Sequence, residues 1–400
     1  MENNQKTSSS SQALLWFGAA VSISEILTGA LIAPLGLKMG LLAIFLGHAI
    51  GFGLLYFTGL IGAQSELPAI ESTRISFGRY GSYLFSILNV LQLVGWTSVM
   101  IANGAIALGA VTEQSFGWNG QALWCIVIGA LIALWILIGI KNLSVVNIVA
   151  VGGLLVLSII LGFIVFRGDT AAPDAQGQMT FGAAVELSVV MTLSWIPVIS
   201  DYTRLVRHKK AGTLASAGGY FVGGCLMFII GLGAALYAGT SDIAQVLMRA
   251  GLSVAALLIV VLSTVTTTFL DAYSAGVSAV NLNKKINEKY AALIACVVGT
   301  LLAIFVPMSR YETFLSLIGS VFAPLFAILL TDYFVLKNRT VDAKRLCNLP
   351  YLILWAVGVV GYQLLMQVST PLGITLPVMV GIGILTVLVE KGRSVCLKKS

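Results

Sequence analysis

Apolar stretches long enough to cross a lipid bilayer recur along this chain, from Leu14 almost to its C-terminus. An α-helix rises 1.5 Å per residue, so about 20 apolar residues cross the roughly 30 Å of bilayer hydrocarbon. Hydrophobic residues make up 58% of the 400 positions and charged residues 10%, which is more apolar surface than a soluble fold buries. The strict alternation of a membrane barrel is absent from the sequence. The sequence therefore predicts an all-α polytopic membrane protein.

The apolar stretches divide into about 12 predicted transmembrane helices, an even number that places both termini on the same side. Between the second and third of them, residues 63–81 predict a short interfacial helix and a loop. The predicted helices cover residues 13–36, 40–62, 83–111, 121–141, 144–166, 179–200, 213–239, 254–281, 289–307, 312–336, 348–367 and 373–390.

The distribution of basic residues predicts the orientation in the membrane. If the N-terminus is cytoplasmic, the cytoplasmic segments hold all of the 23 lysines and arginines except Lys38, Arg167, Arg249 and Arg310. Basic residues are retained in cytoplasmic loops. We therefore expect a multi-pass protein of the cell (inner or plasma) membrane with both termini cytoplasmic. The net charge of +7 then reflects topology and not nucleic-acid binding.

Two carboxylates, Glu25 in the first predicted span and Asp271 in the eighth, lie in apolar runs that carry no other charge. A charged residue at bilayer depth costs roughly 2.5 to 3.5 kcal/mol on insertion scales, so it usually faces a partner, a substrate or water. We predict that both carboxylates bind substrate. The alternative is a structural hydrogen bond or ion pair to another helix.

Two spans have the composition of interrupted helices. Helices that bind a solute at mid-membrane are often broken, because an unwound turn frees carbonyl and N–H groups to face the ligand. The first span has a polar cluster from Ser22 to Gly29, and the sixth has one from Thr192 to Pro197. We predict a helix break in each cluster.

The eighth span contains a dense group of hydroxyls, Thr264, Thr266, Thr267 and Thr268, just before Asp271. Hard oxygen ligands suit a small cation, and carbonyl groups of a broken first helix would complete its coordination. The alternative is that each threonine bonds back to the carbonyl four residues earlier, as helical threonine commonly does.

Trp96 and Trp195 are the aromatic candidates for a binding pocket. Trp96 follows Gly95 and lies near Gln92, and a flat indole beside glycine can stack on a planar ligand. The alternative for each tryptophan is ordinary core packing.

Several classes of protein are excluded or disfavoured. The chain has no GxxxxGK[ST] motif and no cytoplasmic domain that could bind ATP, so it is not a primary pump by itself. Neither a Ser/His/Asp constellation nor a metal-ligand cluster is found, and His48 and His208 are too far apart in sequence to form one. We therefore predict a secondary transporter without a cofactor, and not an enzyme.

Four segments resemble the nucleobase:cation symporter-1 family, the permeases for cytosine, purines, allantoin and hydantoin. They are SWIPVISDYTRLVR from Ser194, VGW ending at Trp96, TTTFLDAYSAG from Thr266 and SVFAPLFAILLTDYFV from Ser320. The resemblance covers nearly the whole chain. It implies a LeuT-like fold of two inverted five-helix repeats, residues 13–166 and 179–336, with two further helices at 348–390. Such a protein works by alternating access.

The resemblance also implies roles for particular residues. Sodium would be bound by the backbone carbonyls of Val21 and Ser24 and by the hydroxyls of Thr266 and Thr267. The threonine cluster favours Na⁺ as the coupling ion, and H⁺ carried by Glu25 is the alternative. A planar heterocycle would be sandwiched between an aromatic of the third helix and residues of the sixth. The predicted substrate-binding residues are Glu25, Gln92, Trp96, Thr192, Ser194, Trp195 and Asp271.

The substrate prediction rests on departures from the family pattern. Cytosine permeases carry amides on the third and eighth helices, whereas here Gln92 is displaced by one position, the eighth helix offers Asp271, and Glu25 replaces a glutamine found in some relatives. A protonated carboxyl complements the donor and acceptor edge of a 4-aminopyrimidine. The chain most resembles the hydroxymethylpyrimidine (thiamine-precursor) permease branch, CytX. Alternatives are a cytosine, purine or allantoin permease, an amino-acid or amine transporter on the same fold, and a membrane receptor.

Overall fold

The computed structural model describes residues 6–139, 179–238, 253–306, 311–368 and 370–397, with six isolated positions between 152 and 163. In these ranges every named element is a helix. The predicted fifth span, 144–166, lies almost wholly outside the described residues.

The first half of the chain forms six described α-helices and a short 3-10 helix, Ala33–Leu35. The longest, Arg74–Phe116, contains a break at Gly78, which has φ +74° and where a side chain would lie against the backbone of Arg345. The membrane-crossing part of this helix therefore follows a short helical piece before Gly78, and this explains why the helix starts before the predicted residue 83. The helices are α1 (Ser9–Ala20), α2 (Ile23–Leu31), α3 (Gly36–Ser65), α4 (Ala69–Ser72), α5 (Arg74–Phe116) and α6 (Gln121–Ile138).

The second half forms eight described helices, two of which end in a π-helical turn, at Ala234–Ala238 and at Thr331–Val335. They are α7 (Phe181–Leu193), α8 (Ile196–Thr203), α9 (Lys209–Gly233), α10 (Ser253–Leu282), α11 (Glu288–Phe305), α12 (Tyr311–Leu330), α13 (Leu349–Leu365) and α14 (Thr375–Leu397).

Glycines bring the helices around α2 into close contact. A side chain at Gly29 of α2 would collide with the backbone of Phe228 in α9, and one at Gly231 of α9 would collide with the backbone of Ile26. Small residues let membrane helices approach closely where no hydrophobic effect drives them together. The backbone of α2 is thus fixed against α9, while α5 and α10 pack together on another side of the molecule.

Within the described residues, eight helical stretches are long and apolar enough to cross a membrane. Large apolar side chains such as Phe45, Leu91, Ile294 and Leu364 are exposed on their outer surfaces. Water would not favour so much exposed apolar surface, whereas lipid does. The arrangement is that of a polytopic membrane protein.

Candidate functional site

The first span is broken between α1 and α2. Val21 leaves the helical region, with ψ 81°, and Ser22 is extended, with φ −135° and ψ 156°. The Ser22 hydroxyl accepts a hydrogen bond from the backbone N–H of Glu25 over 3.2 Å, and so caps α2. The break lies at the start of the predicted interval, Ser22 to Gly29, and the rest of that interval is helical because Ser22 starts a new helix.

The sixth span is broken between α7 and α8, inside the predicted interval. Ser194 and Trp195 form a tight turn, and Pro197 lies in the first turn of α8. Proline at this position is favourable because its missing N–H would have no partner there. The side-chain amide of Gln92 donates to the freed Ser194 carbonyl over 3.1 Å.

A cavity lies between the two breaks and the helices α5 and α10. It is about 10 Å³ in volume, close to the space that one water molecule needs. It is lined by Ser22, Ser24, Glu25, Trp96, Met100, Met191, Ser194, Trp195, Thr267 and Asp271.

Five of the seven predicted substrate-binding residues line this cavity: Glu25, Trp96, Ser194, Trp195 and Asp271. Gln92 and Thr192 lie outside the lining. The Gln92 amide donates to the Ser194 carbonyl. The Thr192 hydroxyl donates to the Ser188 carbonyl over 3.2 Å, and the Thr192 side chain packs against Gly51. In this conformation both residues support the sixth span and do not face the cavity.

Both carboxylates are almost completely buried, with exposed fractions of 1% for Glu25 and 3% for Asp271. Oε1 of Glu25 accepts a short hydrogen bond from the hydroxyl of Tyr220, and Oε2 has no hydrogen-bond partner among the described residues. In the same part of the chain no hydrogen bond to the Asp271 side chain is found, and no lysine or arginine lines the cavity. Two acidic groups thus face one small space without a basic partner.

The two tryptophans are held by other aromatic rings. Trp96 meets Phe314 of α12 edge to face, with ring centroids 5.5 Å apart, and Trp195 meets Trp16 of α1 at 5.6 Å. Such pairs prefer this geometry because of the ring quadrupoles. The indole planes are therefore fixed by neighbours while both side chains border the cavity.

The predicted cation ligands divide into two groups. The Thr267 hydroxyl crosses from α10 to the Gly18 carbonyl of α1, at 3.4 Å, whereas Thr266 donates within its own helix to the Leu262 carbonyl over 2.8 Å. The Ser24 carbonyl accepts the hydroxyl of Thr28 over 2.7 Å. Back-bonding, the alternative weighed for the threonines, thus describes Thr266. Thr267 lies at the seam between the broken helix and α10.

Sequence reasoning missed four residues of the site. Ser22, Met100 and Met191 line the cavity, and Tyr220 of α9 bonds to Glu25 from the far side. Ser22 belongs to the polar cluster from Ser22 to Gly29, so the sequence did contain a signal for it. The methionines and Tyr220 had no such signal, because an apolar or aromatic residue inside an apolar span resembles any packing residue.

The sequence matches the family described as "Permease for cytosine/purines, uracil, thiamine, allantoin" over residues 2–379. The chain therefore belongs to this family of nucleobase-cation symporters. As a member of this family it is a secondary transporter of the membrane, which confirms the prediction of a permease and not an enzyme.

Individual relatives agree with this assignment. The chain is similar to the cytosine permease of Escherichia coli (strain K12), with 28% identity over 304 residues that cover 74% of this chain and 71% of that protein. It is also similar to the hydantoin permease of Microbacterium maritypicum, with 22% identity over 372 residues, 84% of this chain and 74% of that one.

The fold is similar to a solved structure of Mhp1, a nucleobase-cation-symport-1 family transporter, in a closed conformation with bromovinylhydantoin bound. The TM-score is 0.79 at 20% identity, and the alignment covers 97% of this chain and 93% of Mhp1. This likeness concerns the fold alone. The predicted LeuT-like, all-α membrane fold is confirmed.

Proposed function

We propose that this protein is a symporter that imports a planar aminopyrimidine of the hydroxymethylpyrimidine type. The observation that carries the proposal is the pairing of Glu25 and Asp271, two buried carboxylates that face one cavity with no basic residue in its lining. Buried carboxylates need hydrogen-bond donors or protons. A ligand rich in N–H donors would supply them.

The chemistry of an aminopyrimidine suits this lining. Its amino group donates to a carboxyl oxygen, and its ring nitrogen accepts from a protonated carboxyl. Glu25 and Asp271 could thus engage two edges of one ring, while Trp96 and Trp195 would contact its faces. Base stacking on aromatic side chains contributes roughly 1 to 3 kcal/mol in nucleic-acid complexes, and we expect a similar magnitude here.

Binding requires the cavity to widen, because about 10 Å³ does not accommodate a pyrimidine ring. Met100 and Met191 are the lining residues best suited to move, since the unbranched thioether side chain adopts many rotamers at low cost. We propose that these two side chains yield to the ligand, together with a rocking of spans one, two, six and seven against three, four, eight and nine.

For the coupling ion we propose Na⁺, bound at the seam between α1 and α10. The contact between Thr267 and the Gly18 carbonyl supports this place, because it brings oxygen atoms of the two helices together. We propose the backbone carbonyls of Val21 and Ser24 and the hydroxyls of Thr266 and Thr267 as ligands. The bond from Thr28 leaves the Ser24 carbonyl a second lone pair for the cation. Proton coupling through Glu25 is the alternative.

The positions of the basic residues support a cell-membrane location with both termini cytoplasmic, and substrate would enter from outside. A second candidate function is that of a cytosine or hydantoin permease, which the relatives favour. An amine transporter is a third, because two carboxylates would also suit a cation.

Thermal unfolding of the purified protein with 4-amino-5-hydroxymethyl-2-methylpyrimidine, cytosine, uracil, hydantoin or arginine, each with and without Na⁺, separates these candidates. We expect the largest stabilisation from the hydroxymethylpyrimidine, and only with Na⁺, since a ligand that binds the native state raises the unfolding temperature. Stabilisation by cytosine or hydantoin would support the second candidate, and stabilisation by arginine the third.

A further inference from the structure

Glu25 has two carboxyl oxygens in very different surroundings. Oε1 accepts the hydroxyl of Tyr220, and Oε2 is buried with no hydrogen-bond partner among the described residues. A free carboxyl group would rotate and present either oxygen to a ligand. The contact with Tyr220 removes this freedom, because it commits one particular oxygen to the protein.

Tyr220 is completely buried, and its ring is fixed by neighbours on α1 and at the break of the sixth span. The ring centroid lies 6.4 Å from that of Trp16 and 6.2 Å from that of Trp195. The hydroxyl is therefore delivered to Glu25 by a side chain that cannot easily turn away.

The backbone on either side of Tyr220 is equally constrained. A side chain at Gly219 would collide with the Ala13 backbone, and one at Gly223 would lie 2.8 Å from the Cβ of Ala20. These glycines let α9 lie directly on α1, since small residues at a helix interface permit close backbone approach. The distance between Tyr220 and Glu25 is thus set by packing that does not depend on a ligand.

We propose that Tyr220 is a positioning residue of the substrate site, whose hydroxyl holds Oε1 of Glu25 so that Oε2 alone meets the ligand. The inference rests on the proposed function for the ligand's chemistry, an N–H donor such as an aminopyrimidine edge. The seventh span then contributes to substrate specificity through Tyr220, although Tyr220 is not among the residues that line the cavity.

The single hydroxyl hydrogen also connects the site to the sixth span. Tyr220 has a second acceptor within reach, the Met191 carbonyl at 3.4 Å, in the last turn of α7. When Glu25 is ionised, the hydrogen points to Oε1. When Oε1 of Glu25 carries a proton, it donates a hydrogen bond to the Tyr220 oxygen, and the Tyr220 hydroxyl donates to the Met191 carbonyl. The protonation state of Glu25 therefore decides whether the Met191 carbonyl, in the turn that precedes the break at Ser194, receives a hydrogen bond from Tyr220.

The test is a double-mutant cycle with Tyr220→Phe and Glu25→Leu, a replacement that has no acceptor, read by calorimetric binding of 4-amino-5-hydroxymethyl-2-methylpyrimidine. We expect Tyr220→Phe to weaken binding about tenfold, the size typical of a hydrogen bond to a charged or ligand-binding group. In the Glu25→Leu background the same change should have almost no effect, because leucine leaves Tyr220 no acceptor to hold at position 25. An equal loss in both backgrounds would overturn the proposal.

Tyr202→Phe is the matched control. Tyr202 belongs to the same aromatic group around Trp16, with centroids 5.7 Å apart, but its hydroxyl donates to the Leu270 carbonyl over 3.3 Å. We expect less than a twofold change for this variant. A loss as large as that of Tyr220→Phe would show that any buried hydroxyl in the cluster matters for packing alone, and would also overturn the proposal.

A second measurement needs no ligand and so separates this inference from the proposed function. The infrared bands of the Glu25 carboxyl are identified by the difference between wild type and Glu25→Gln, in either protonation state. We expect them to shift in Tyr220→Phe and to stay in place in Tyr202→Phe, because losing a hydrogen-bond donor changes the carboxyl stretch. A shift without any binding of pyrimidine would refute only the proposed substrate, whereas unshifted bands would refute the positioning role.

Should Tyr220→Phe fail to fold, 3-fluorotyrosine at position 220 alters the hydroxyl with little change of shape and gives the same readout.

Discussion

Asp201 near the end of α8 and Asp332 just after α12 both hold one short segment, residues 66–77, which runs from the end of α3 to the break in α5 at Gly78. Oδ1 of Asp201 accepts the backbone N–H of Ala69 over 2.9 Å, and Oδ2 of Asp332 accepts the hydroxyl of Ser76 over 2.7 Å. Both aspartates are buried. One segment of chain is therefore anchored to two spans at once.

Two anchors on one segment predict a synergistic effect when both are removed. Asp201→Ala and Ser76→Ala should each leave the segment docked through the other contact, and the double variant should release it. Cleavage by trypsin at Arg74, which lies within the segment, measures the release. We expect the double variant to be cut much faster than the two single effects predict together. Thr386→Ala, which removes a bond to the Ile382 carbonyl within α14, is the control, and simple additivity would contradict the prediction.

Much of the architecture could be predicted from the sequence because a membrane makes helix length and hydropathy decisive. The break near Ser194 was predictable, since Pro197 and the surrounding hydroxyls mark it. The exact break in the first span was harder to place. Every polar residue from Ser22 to Gly29 was a candidate, and it is the capping bond from Ser22 to Glu25 that decides where α2 starts.

The cavity lining was only partly predictable because it depends on the rotation of each helix. Glu25 and Asp271 stood out as charges in apolar runs, and both line the cavity. Gln92 stood out as well, yet the helix turns its amide to the Ser194 carbonyl. Tyr220 gave no signal, since its contact with Glu25 joins residues 195 positions apart in the chain.

Replacement of the cavity carboxylates should weaken ligand binding without unfolding the protein. Glu25→Gln and Asp271→Asn keep the shape of each side chain and remove its negative charge or its acidic proton. We expect each to lower the affinity for the aminopyrimidine by about tenfold or more, as hydrogen bonds to charged groups contribute roughly 1.5 to 3 kcal/mol. Calorimetry measures the affinity. Glu66→Gln, at an exposed carboxylate that is not part of the cavity lining, serves as the control. Wild-type affinity in both cavity variants would remove these residues from the site.

Thr267 should matter for the coupling cation in a way that its neighbour Thr268 does not. The Thr267 hydroxyl reaches α1, whereas that of Thr268 donates to the Thr264 carbonyl of its own helix over 2.6 Å. We expect Thr267→Ala to raise the Na⁺ concentration needed for half-maximal ligand binding about tenfold, equivalent to about 1.4 kcal/mol. Titration of Na⁺ at fixed ligand concentration measures it. An unchanged requirement in Thr267→Ala, or an equal rise in Thr268→Ala, would argue against a cation at this seam.

Gln92 should act on the break in the sixth span and not on the ligand directly. Its replacement by leucine leaves the buried Ser194 carbonyl without its donor, which costs about 1 to 3 kcal/mol. We expect a lower unfolding temperature in the absence of ligand as well as weaker binding. Gln121→Leu, at an exposed position where α6 starts, should change neither. A variant with normal stability and weakened binding would instead place the Gln92 amide against the ligand.

One carboxylate, that of Glu186 in α7, bonds to both of the last two helices. It accepts hydrogen bonds from the Tyr362 hydroxyl at 2.6 Å, the backbone N–H groups of Ile374 and Thr375 at 2.6 and 2.9 Å, and the Thr375 hydroxyl at 2.7 Å. A carboxylate can accept all four bonds, while the amide of glutamine has only one acceptor oxygen.

Glu186→Gln should therefore loosen the attachment of α13 and α14 to α7. The amide nitrogen would face two backbone N–H groups at the start of α14, and we expect a loss of about 2 to 3 kcal/mol of stability. Thermal unfolding in detergent measures the loss, with Glu113→Gln as the control because the carboxylate of Glu113 is exposed and bonds only to the Asn119 side chain among the described residues. Equal unfolding temperatures for the two variants would mean that apolar packing against α12, and not Glu186, holds the C-terminal pair in place.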